Sequence, residues 1–241
     1  MLINDKFQNY LKYDIPKAQL ILSDPPYEIS TDFYASRPDW YVDRDIKNGY
    51  SDKANTAAFK TDTEAFNFGD FFSFCSLSLK DEPAKGEADA PCVILFCAFQ
   101  QIPTIIREAE KYGFKKYIPL VFCKNYSPQV LKANVKVVGA TEYGLILYRN
   151  KLPKFRNDGH MIFNWFEWKR DGKNVPRLHP TQKPMSLLKK LIEIYTDMGD
   201  VVIDPCAGSG STLKAAKELG RQGYGFEVDK EFFEKAEEAL C

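Results

Sequence analysis

The sequence lacks several features that would assign it to a common class of protein. Its 33 basic and 33 acidic side chains balance, so it has no excess of one charge such as proteins that coat nucleic acids carry. Its apolar runs are too short to span a bilayer, and its first residues have neither the basic nor the apolar segment of a signal peptide. The six cysteines form no CxxC pair and only two histidines occur, which argues against a zinc site. We therefore expect a cytoplasmic protein, not secreted, with no membrane partner and no metal.

Two patterns of nucleotide-binding proteins are also missing. No GxxxxGK[ST] sequence occurs, which excludes a P-loop. Asp204 and Pro205 stand where a nicotinamide-binding fold has its first glycine, which disfavours that class as well.

Short apolar runs alternate with helical patterns along the chain, which predicts an α/β fold with a mostly parallel sheet. The predicted strands are residues 18–23, 92–98, 117–123, 143–148, 201–204 and 223–227. The predicted helices are residues 104–112, 184–196, 211–219 and 230–240. We expect a single domain over residues 1–241, with two irregular segments. Residues 28–66 would form a lid or insert, and residues 149–180 a short recognition segment.

One predicted strand runs directly into a glycine-rich turn and then a helix. The strand ends at Asp204, and the sequence Pro-Cys-Ala-Gly-Ser-Gly-Ser-Thr follows as residues 205–212. Glycines let the backbone approach a ligand closely, and the free N–H groups of a helix start receive an anionic group. Glu227 ends the next strand, at the position where dinucleotide-type folds hold two ribose hydroxyls. Together these features predict a site for a nucleotide-like cofactor.

The sharpest pattern in the chain is Asp24-Pro25-Pro26-Tyr27, at the end of another apolar strand. Two prolines stiffen the backbone and remove two N–H donors, which leaves carbonyl acceptors of fixed direction. The Asp24 carboxylate adds a further acceptor. Such a set matches an exocyclic amino group, because both of its hydrogens would be accepted and its lone pair freed. If that amino group belongs to a base in a nucleic-acid duplex, the base must leave the duplex to be reached, and Tyr27 would stack on it.

Three motifs follow one another along the chain: DPPY at residues 24–27, HPTQKP at residues 179–184 and DPCAGSGST at residues 204–212. This order resembles that of the amino-group DNA methyltransferases of the β class, and the resemblance covers nearly the whole chain. It implies a Rossmann-like, S-adenosylmethionine-dependent methyltransferase with a mostly parallel seven-stranded sheet and a circularly permuted motif order. It also implies that the strands ending at Asp24 and Asp204 are neighbours, so that both carboxylates flank one crevice.

The resemblance also implies a role for each matching residue. The catalytic residues would be Asp24, Pro25, Pro26 and Tyr27. The remaining residues would bind the cofactor. Asp5 would lie at the adenine ring, Glu227 would bind the ribose, and Thr181 and Lys183 would reach the carboxylate end. The methionine part would be lined by Asp204, Gly208, Ser209, Gly210, Ser211 and Thr212. Cys206 lies in the same turn and is expected to be a small lining residue.

The predicted function is site-specific transfer of a methyl group from S-adenosylmethionine to adenine N6 of a flipped-out base in double-stranded DNA. Asp24, where related enzymes carry serine, favours adenine over cytosine N4. Three alternatives stay open: cytosine-N4 methylation, amino-group methylation of RNA or protein, and a catalytically silent DNA-binding subunit. The sequence also leaves open a homodimer, a cognate restriction endonuclease as partner, and the recognition sequence.

Two further patterns need care. Pro91-Cys92 is similar to the nucleophile dipeptide of cytosine-C5 methyltransferases, but Cys92 opens an apolar strand and is expected to lie in the core. The aromatic cluster of Phe163, Trp165, Phe166 and Trp168 would either stack on DNA or pack a loop onto the sheet.

Overall fold

Strands and helices alternate along most of the chain. The computed structural model describes residues 1–27, 66–125, 129–132, 137–172 and 182–240. The strands are β1 (Leu2–Ile3), β2 (Leu20–Ser23), β3 (Cys92–Cys97), β4 (Lys116–Lys124), β5 (Gln129–Lys132), β6 (Val137–Gly139), β7 (Thr141–Tyr148), β8 (Trp165–Trp168), β9 (Val201–Asp204) and β10 (Gln222–Phe226). The helices are α1 (Phe68–Ser78), α2 (Ile102–Lys111), α3 (Met185–Tyr195), α4 (Ser211–Glu218) and α5 (Lys230–Leu240). Short 3-10 helices lie at Phe7–Lys12 and Phe99–Gln101.

One mixed sheet joins eight strands in the order β1-β10-β9-β2-β3-β7-β4-β8. Neighbouring strands are parallel, except that β7 runs antiparallel to both β3 and β4. Strands β2 and β9 are parallel neighbours, with Leu20 opposite Val202, which confirms the adjacency expected of the strands that lead to Asp24 and Asp204. The chain order reverses between these two strands, so a crevice opens at their carboxyl ends.

The sheet has one strand more than the seven expected. The additional strand is β8 at the edge, which pairs with β4 from Trp165 opposite Val121 to Trp168 opposite Lys124. It lies within residues 149–180, which the sequence predicts as irregular. Its side chains alternate between exposed and buried over only four residues, a stretch too short for a reliable period-two pattern.

Helices cover both faces of this sheet. The alternation of β3 shows the two layers: Val93, Leu95 and Cys97 pack with α1 and α2, whereas Cys92, Ile94 and Phe96 pack with α3 and α4. Cys92 is buried, as expected, and burial raises the pKa of its thiol. In the described ranges, no helix is both long and apolar enough to cross a membrane.

Two of the sequence predictions concern residues outside the described ranges. The expected lid at residues 28–66 lies outside the described residues except for Phe66, whose ring packs against the Phe68 and Phe71 rings. Thr181, predicted to bind the cofactor, also lies outside them.

Candidate functional site

The carboxyl ends of β2 and β9 bring the DPPY motif to the glycine-rich turn. Ser23 Oγ donates to Asp204 Oδ1 at 3.1 Å, and the Cys206 backbone N–H donates to the same oxygen at 3.0 Å. Asp204 is buried, and burial raises the pKa of its carboxyl to about 6. The strand ends therefore place two carboxyl groups, Asp24 and Asp204, on one crevice.

The turn after β9 depends on glycines in the left-handed region. Gly208 has φ +50° and Gly210 has φ +70°, conformations that L side chains rarely adopt. Gly210 is also crowded, because a Cβ there would lie 3.2 Å from Leu240 Cδ1 and 3.3 Å from Ala236 Cβ of α5. Beside it, the Ser209 and Ser211 hydroxyls are 2.8 Å apart. The chain can thus turn sharply into α4 and direct its first N–H groups toward the crevice.

Glu227 follows β10 and holds the glycine turn from the other side. Its Oε2 accepts from the Gly208 N–H at 2.8 Å, and its Oε1 accepts from the Asp229 N–H at 2.8 Å. Burial raises the pKa of this carboxyl. Each carboxylate oxygen has two lone pairs, so Glu227 can accept two further O–H donors such as those of a sugar diol.

Asp5 lies two residues after the end of β1. Its carboxylate accepts from the Lys6 N–H, Asn9 Nδ2 and Tyr13 Oη, each at 2.8 Å. The Asn9 hydrogen bond is the main reason why the pKa of Asp5 is lowered. Asn4 Nδ2 donates to the Glu227 carbonyl at 2.8 Å, which fixes this segment against β10. The role of Asp5 at an adenine ring stays a prediction.

Asp24 is held from two sides. Tyr27 Oη donates to Asp24 Oδ1 at 2.8 Å, and Lys183 Nζ forms an ion pair with Oδ2. Burial raises the pKa of Asp24, and the Lys183 charge opposes that effect. Pro25 is buried and Pro26 partly buried, so the motif is packed against the carboxyl end of β2.

Lys183 lies in the same crevice, where its ammonium lies against Asp24 and 3.5 Å from Glu142 Oε2. Its role at the carboxylate end of a cofactor stays a prediction. The side chain is only 6% exposed, and its Nζ lies 5.0 to 5.5 Å from the ring centroids of Phe96, Tyr27 and Trp168. Rings at this distance stabilise a buried cation.

Sequence analysis missed two charged residues in this cluster. Lys124, at the end of β4, pairs with Glu142 Oε1 and lies 4.6 Å from the centroid of the Trp168 ring. Glu142 is near the start of β7, and the antiparallel direction of that strand brings it to the same edge as Asp24. The signal available in the sequence was the charge of Glu142 just before the apolar run Gly144–Tyr148. Whether that charge reaches the site depends on the direction of the strand.

The aromatic cluster in the predicted recognition segment divides into a buried pair and an exposed pair. Phe166 and Trp168 are buried in the core, where the Phe122 ring contacts both. Phe163 and Trp165 are 74% and 50% exposed, and their rings stack with centroids 5.9 Å apart. Within the described residues, no group of three or more His, Cys, Asp and Glu side chains could hold a metal ion.

A model of a DNA methylase family matches residues 18–238. The chain belongs to the N6/N4 DNA methylase family. This confirms the family resemblance that the order of the three motifs predicted. Among curated members, the DNA adenine methyltransferase YhdJ of Escherichia coli strain K12 is 31% identical over 131 residues, 52% of this chain and 45% of that one. The type II methyltransferase M.HpaI of Haemophilus parainfluenzae is 44% identical over 62 residues, 26% of this chain and 20% of that one. The chain thus spans less than half the length of either relative.

Solved structures of DNA methylases share the whole fold. The structure of the M1.HpyAVI–SAM complex has a TM-score of 0.66 and 21% identity, covering 100% of this chain and 99% of that one. The cytosine-N4-specific PvuII DNA methyltransferase has a TM-score of 0.69 and 14% identity, covering 100% and 86%. This structural similarity confirms the predicted Rossmann-like methyltransferase fold of the chain.

Proposed function

We propose that this chain transfers the methyl group of S-adenosylmethionine to adenine N6 of a flipped-out base in double-stranded DNA. The observation that carries the proposal is the position of Asp24. Its carboxylate follows β2, directly beside the glycine turn that follows β9, so an amino-group acceptor adjoins a cofactor-type pocket. Family membership supports the same chemistry.

The residues at the turn fit S-adenosylmethionine. Glu227 would accept the two ribose hydroxyls, because both of its oxygens keep a lone pair after binding the Gly208 and Asp229 N–H groups. Asp204 and the turn from Gly208 to Thr212 would line the methionine part, with Cys206 as a small neighbour. Asp5 would adjoin the adenine ring from the side of β1. When bound, the cofactor supplies an electrophilic methyl group on a sulfonium.

The DPPY residues would orient the target nitrogen. Asp24 and a proline carbonyl, from Pro25 or Pro26, would accept the two amino hydrogens, which frees the nitrogen lone pair to attack. Neighbouring parallel strands lie about 4.8 Å apart, so an amino group on Asp24 would be within reach of a methyl group held at the turn. Tyr27 would pack on the base, and such stacking contributes about 1–3 kcal/mol per base, which offsets much of the cost of flipping.

Adenine is the favoured base for two reasons. The motif begins with Asp24, the residue expected for adenine in this family. The relative YhdJ, named a DNA adenine methyltransferase, is 31% identical over 131 residues. Cytosine N4 would use the same acceptors, so the assay must identify the base.

The exposed Phe163–Trp165 pair would contact the DNA. The two rings stack on each other outside the core, and Met161 beside them is 97% exposed. Aromatic and apolar side chains in this position are suited to stack on bases or insert at a base step.

The proposal is tested by offering the purified chain radiolabelled S-adenosylmethionine with unmethylated DNA, RNA or a protein extract in separate reactions. Label in N6-methyladenine, identified after digestion of the DNA to nucleosides and lost in Asp24→Ala, supports it. Asp81→Ala is the matched control, because this carboxylate is exposed and pairs only with Lys17 among the described residues. Label in RNA or protein alone would contradict the proposal. Cofactor binding without transfer to any acceptor would indicate a catalytically silent subunit.

A further inference from the structure

A cluster of charged side chains lies at the carboxyl ends of the strands, where the Lys183 ammonium is close to two carboxylates, Asp24 and Glu142. We propose that Lys183 occupies the acceptor position on Asp24 before the target base arrives, and that Glu142 receives its ammonium when the amino group displaces it. Glu142 is thus a positioning residue that acts through Lys183. The inference rests on the proposed function, because it takes Asp24 as the acceptor of the amino hydrogens.

Lys183 and the target amino group compete for Asp24. Both oxygens of this carboxylate already bind a donor, Tyr27 Oη on Oδ1 and Lys183 Nζ on Oδ2. A charge-assisted hydrogen bond from an ammonium is about twice as strong as one from a neutral donor. A neutral amino group can use the second lone pair of Oδ2, but it binds Asp24 more strongly once the ammonium has moved away from that oxygen.

Glu142 offers a place for the displaced ammonium. Its Oε2 is buried and has no hydrogen-bond partner among the described residues, and it lies 3.5 Å from Lys183 Nζ. A displacement of about 0.7 Å would shorten this distance to ~2.8 Å, the usual length of a charge-assisted hydrogen bond. A buried acceptor without a hydrogen bond is unfavourable, so the movement would turn the long ion pair between Lys183 Nζ and Glu142 Oε2 into a hydrogen bond.

Lys124 and the aromatic rings lower the free-energy cost of moving the Lys183 ammonium. Lys124 pairs with Glu142 Oε1, so the group holds two carboxylates and two ammonium groups whichever carboxylate binds Lys183. The rings of Phe96, Tyr27 and Trp168 surround Lys183 Nζ at 5.0 to 5.5 Å. The ammonium therefore passes between its partners without a change in net charge and without leaving its buried site.

The inference predicts opposite pH effects for the two partners of Asp24. Three side chains act on Asp24: Lys183 and Glu142 through their charges, and Tyr27 and Lys183 through hydrogen bonds. The charge of Asp24 acts in turn on three neighbouring titratable groups, Asp204, Cys97 and Cys206. Glu142 raises the pKa of Asp24 and Lys183 lowers it. Because an ionised Asp24 is the better acceptor, Glu142→Gln should move the acid limb of the rate profile to lower pH, and Lys183→Met should move it to higher pH.

The test is the single-turnover rate of DNA methylation as a function of pH in Glu142→Gln, Lys183→Met and the double variant. Losing the receiving carboxylate should slow Glu142→Gln by about 10- to 100-fold at the plateau, the effect of one charge-assisted hydrogen bond, with little change in cofactor or DNA binding. The double variant should be no slower than Lys183→Met, because no ammonium remains to be received. Glu218→Gln, which removes an exposed pair with Lys189, should behave as the wild type.

Folding and the proposed function are tested separately. Thermal unfolding and cofactor binding show whether each variant is native. If Glu142→Gln does not fold, Glu142→Asp replaces it: the shorter side chain keeps the charge but withdraws the receiving oxygen, so the rate should fall while the acid limb stays in place. A native Glu142→Gln or Glu142→Asp with the wild-type rate, or losses that multiply in the double variant, would overturn the inference. A wild-type chain that methylates no DNA would instead overturn the proposed function and, with it, this inference.

Discussion

Replacing Gly225 with alanine would test how closely α4 must pack on β10 to shape the cofactor turn. A Cβ at this position would lie 2.7 Å from Leu213 Cδ1, 3.0 Å from Ala207 Cβ and 3.1 Å from the Asp204 carbonyl oxygen. All three distances are below the ~3.5–4.0 Å of favourable contact. Leu213 can change rotamer, but Ala207 and Asp204 belong to the turn itself and can yield only if the backbone moves.

The expected loss of stability follows from these contacts. Overpacking of this kind costs about 1–3 kcal/mol, partly offset by about 0.4–1 kcal/mol because alanine restricts the unfolded chain. The net loss is about 0–2.6 kcal/mol, and the middle of that range, about 1.3 kcal/mol, corresponds to a fall in Tm of roughly 3–5 °C for a chain of this size. Movement of Asp204 and Ala207 should also weaken cofactor binding, since both line the turn.

Thermal unfolding and calorimetric titration with S-adenosylmethionine measure the two effects. Gly172→Ala is the control, because a Cβ there would have no atom of the described residues within 4 Å. We expect that variant to unfold at or slightly above the wild-type temperature and to bind normally. If Gly225→Ala matched the control in both measurements, close packing of β10 would not be what shapes the turn.

Three further substitutions separate the roles of neighbouring groups. Glu227→Ala should weaken binding of S-adenosylmethionine by about 10- to 100-fold in calorimetry, because the ribose hydroxyls lose an ionised acceptor; unchanged binding would remove Glu227 from the site. Burial raises the pKa of Asp204 from 3.8 to about 6, so its ionisation destabilises the folded state as pH rises through that window and remains unfavourable above it. Asp204→Asn keeps an acceptor for Ser23 and should therefore raise the free energy of unfolding by on the order of 3 kcal/mol at about pH 7 and little at about pH 4, measured with urea; equal gains at both pH values would contradict this. Cys92→Ala should reduce stability by about 1 kcal/mol and leave the methylation rate unchanged, because the thiol is a core group; loss of activity in the folded variant would reopen its role as a nucleophile.

The sequence predicted the parts of the fold that local patterns encode. Strand β9 has the predicted bounds, because an apolar run, a charged end and a glycine turn mark both of its limits. Helix α5 also has its predicted bounds. Helix α1 was missed because its phenylalanines and serines are weak helix formers, although its buried residues recur at helical spacing on one side. Its clearest start signal is Asn67, whose side chain accepts from the Asp70 N–H at 3.1 Å.

The candidate site shows the same division. Asp24, Asp204, Glu227 and the glycines stand at the ends of recognisable strands, so sequence reasoning found them. Glu142 and the Asp24–Lys183 ion pair depend on which strands are neighbours and in which direction they run. That information is carried by contacts between residues far apart in the chain, and one sequence does not contain it in readable form.

Nucleoside mass spectrometry of DNA treated with the wild-type chain and S-adenosylmethionine tests the proposed reaction most directly, with Asp24→Ala and Asp81→Ala in parallel. We expect N6-methyladenine from the wild type and from Asp81→Ala, and a loss of about 100-fold or more in Asp24→Ala, the effect of removing one group that stabilises the transition state. N4-methylcytosine would keep the mechanism but contradict the assignment of the base. N6-methyladenine formed equally well by Asp24→Ala would contradict the role of Asp24 itself.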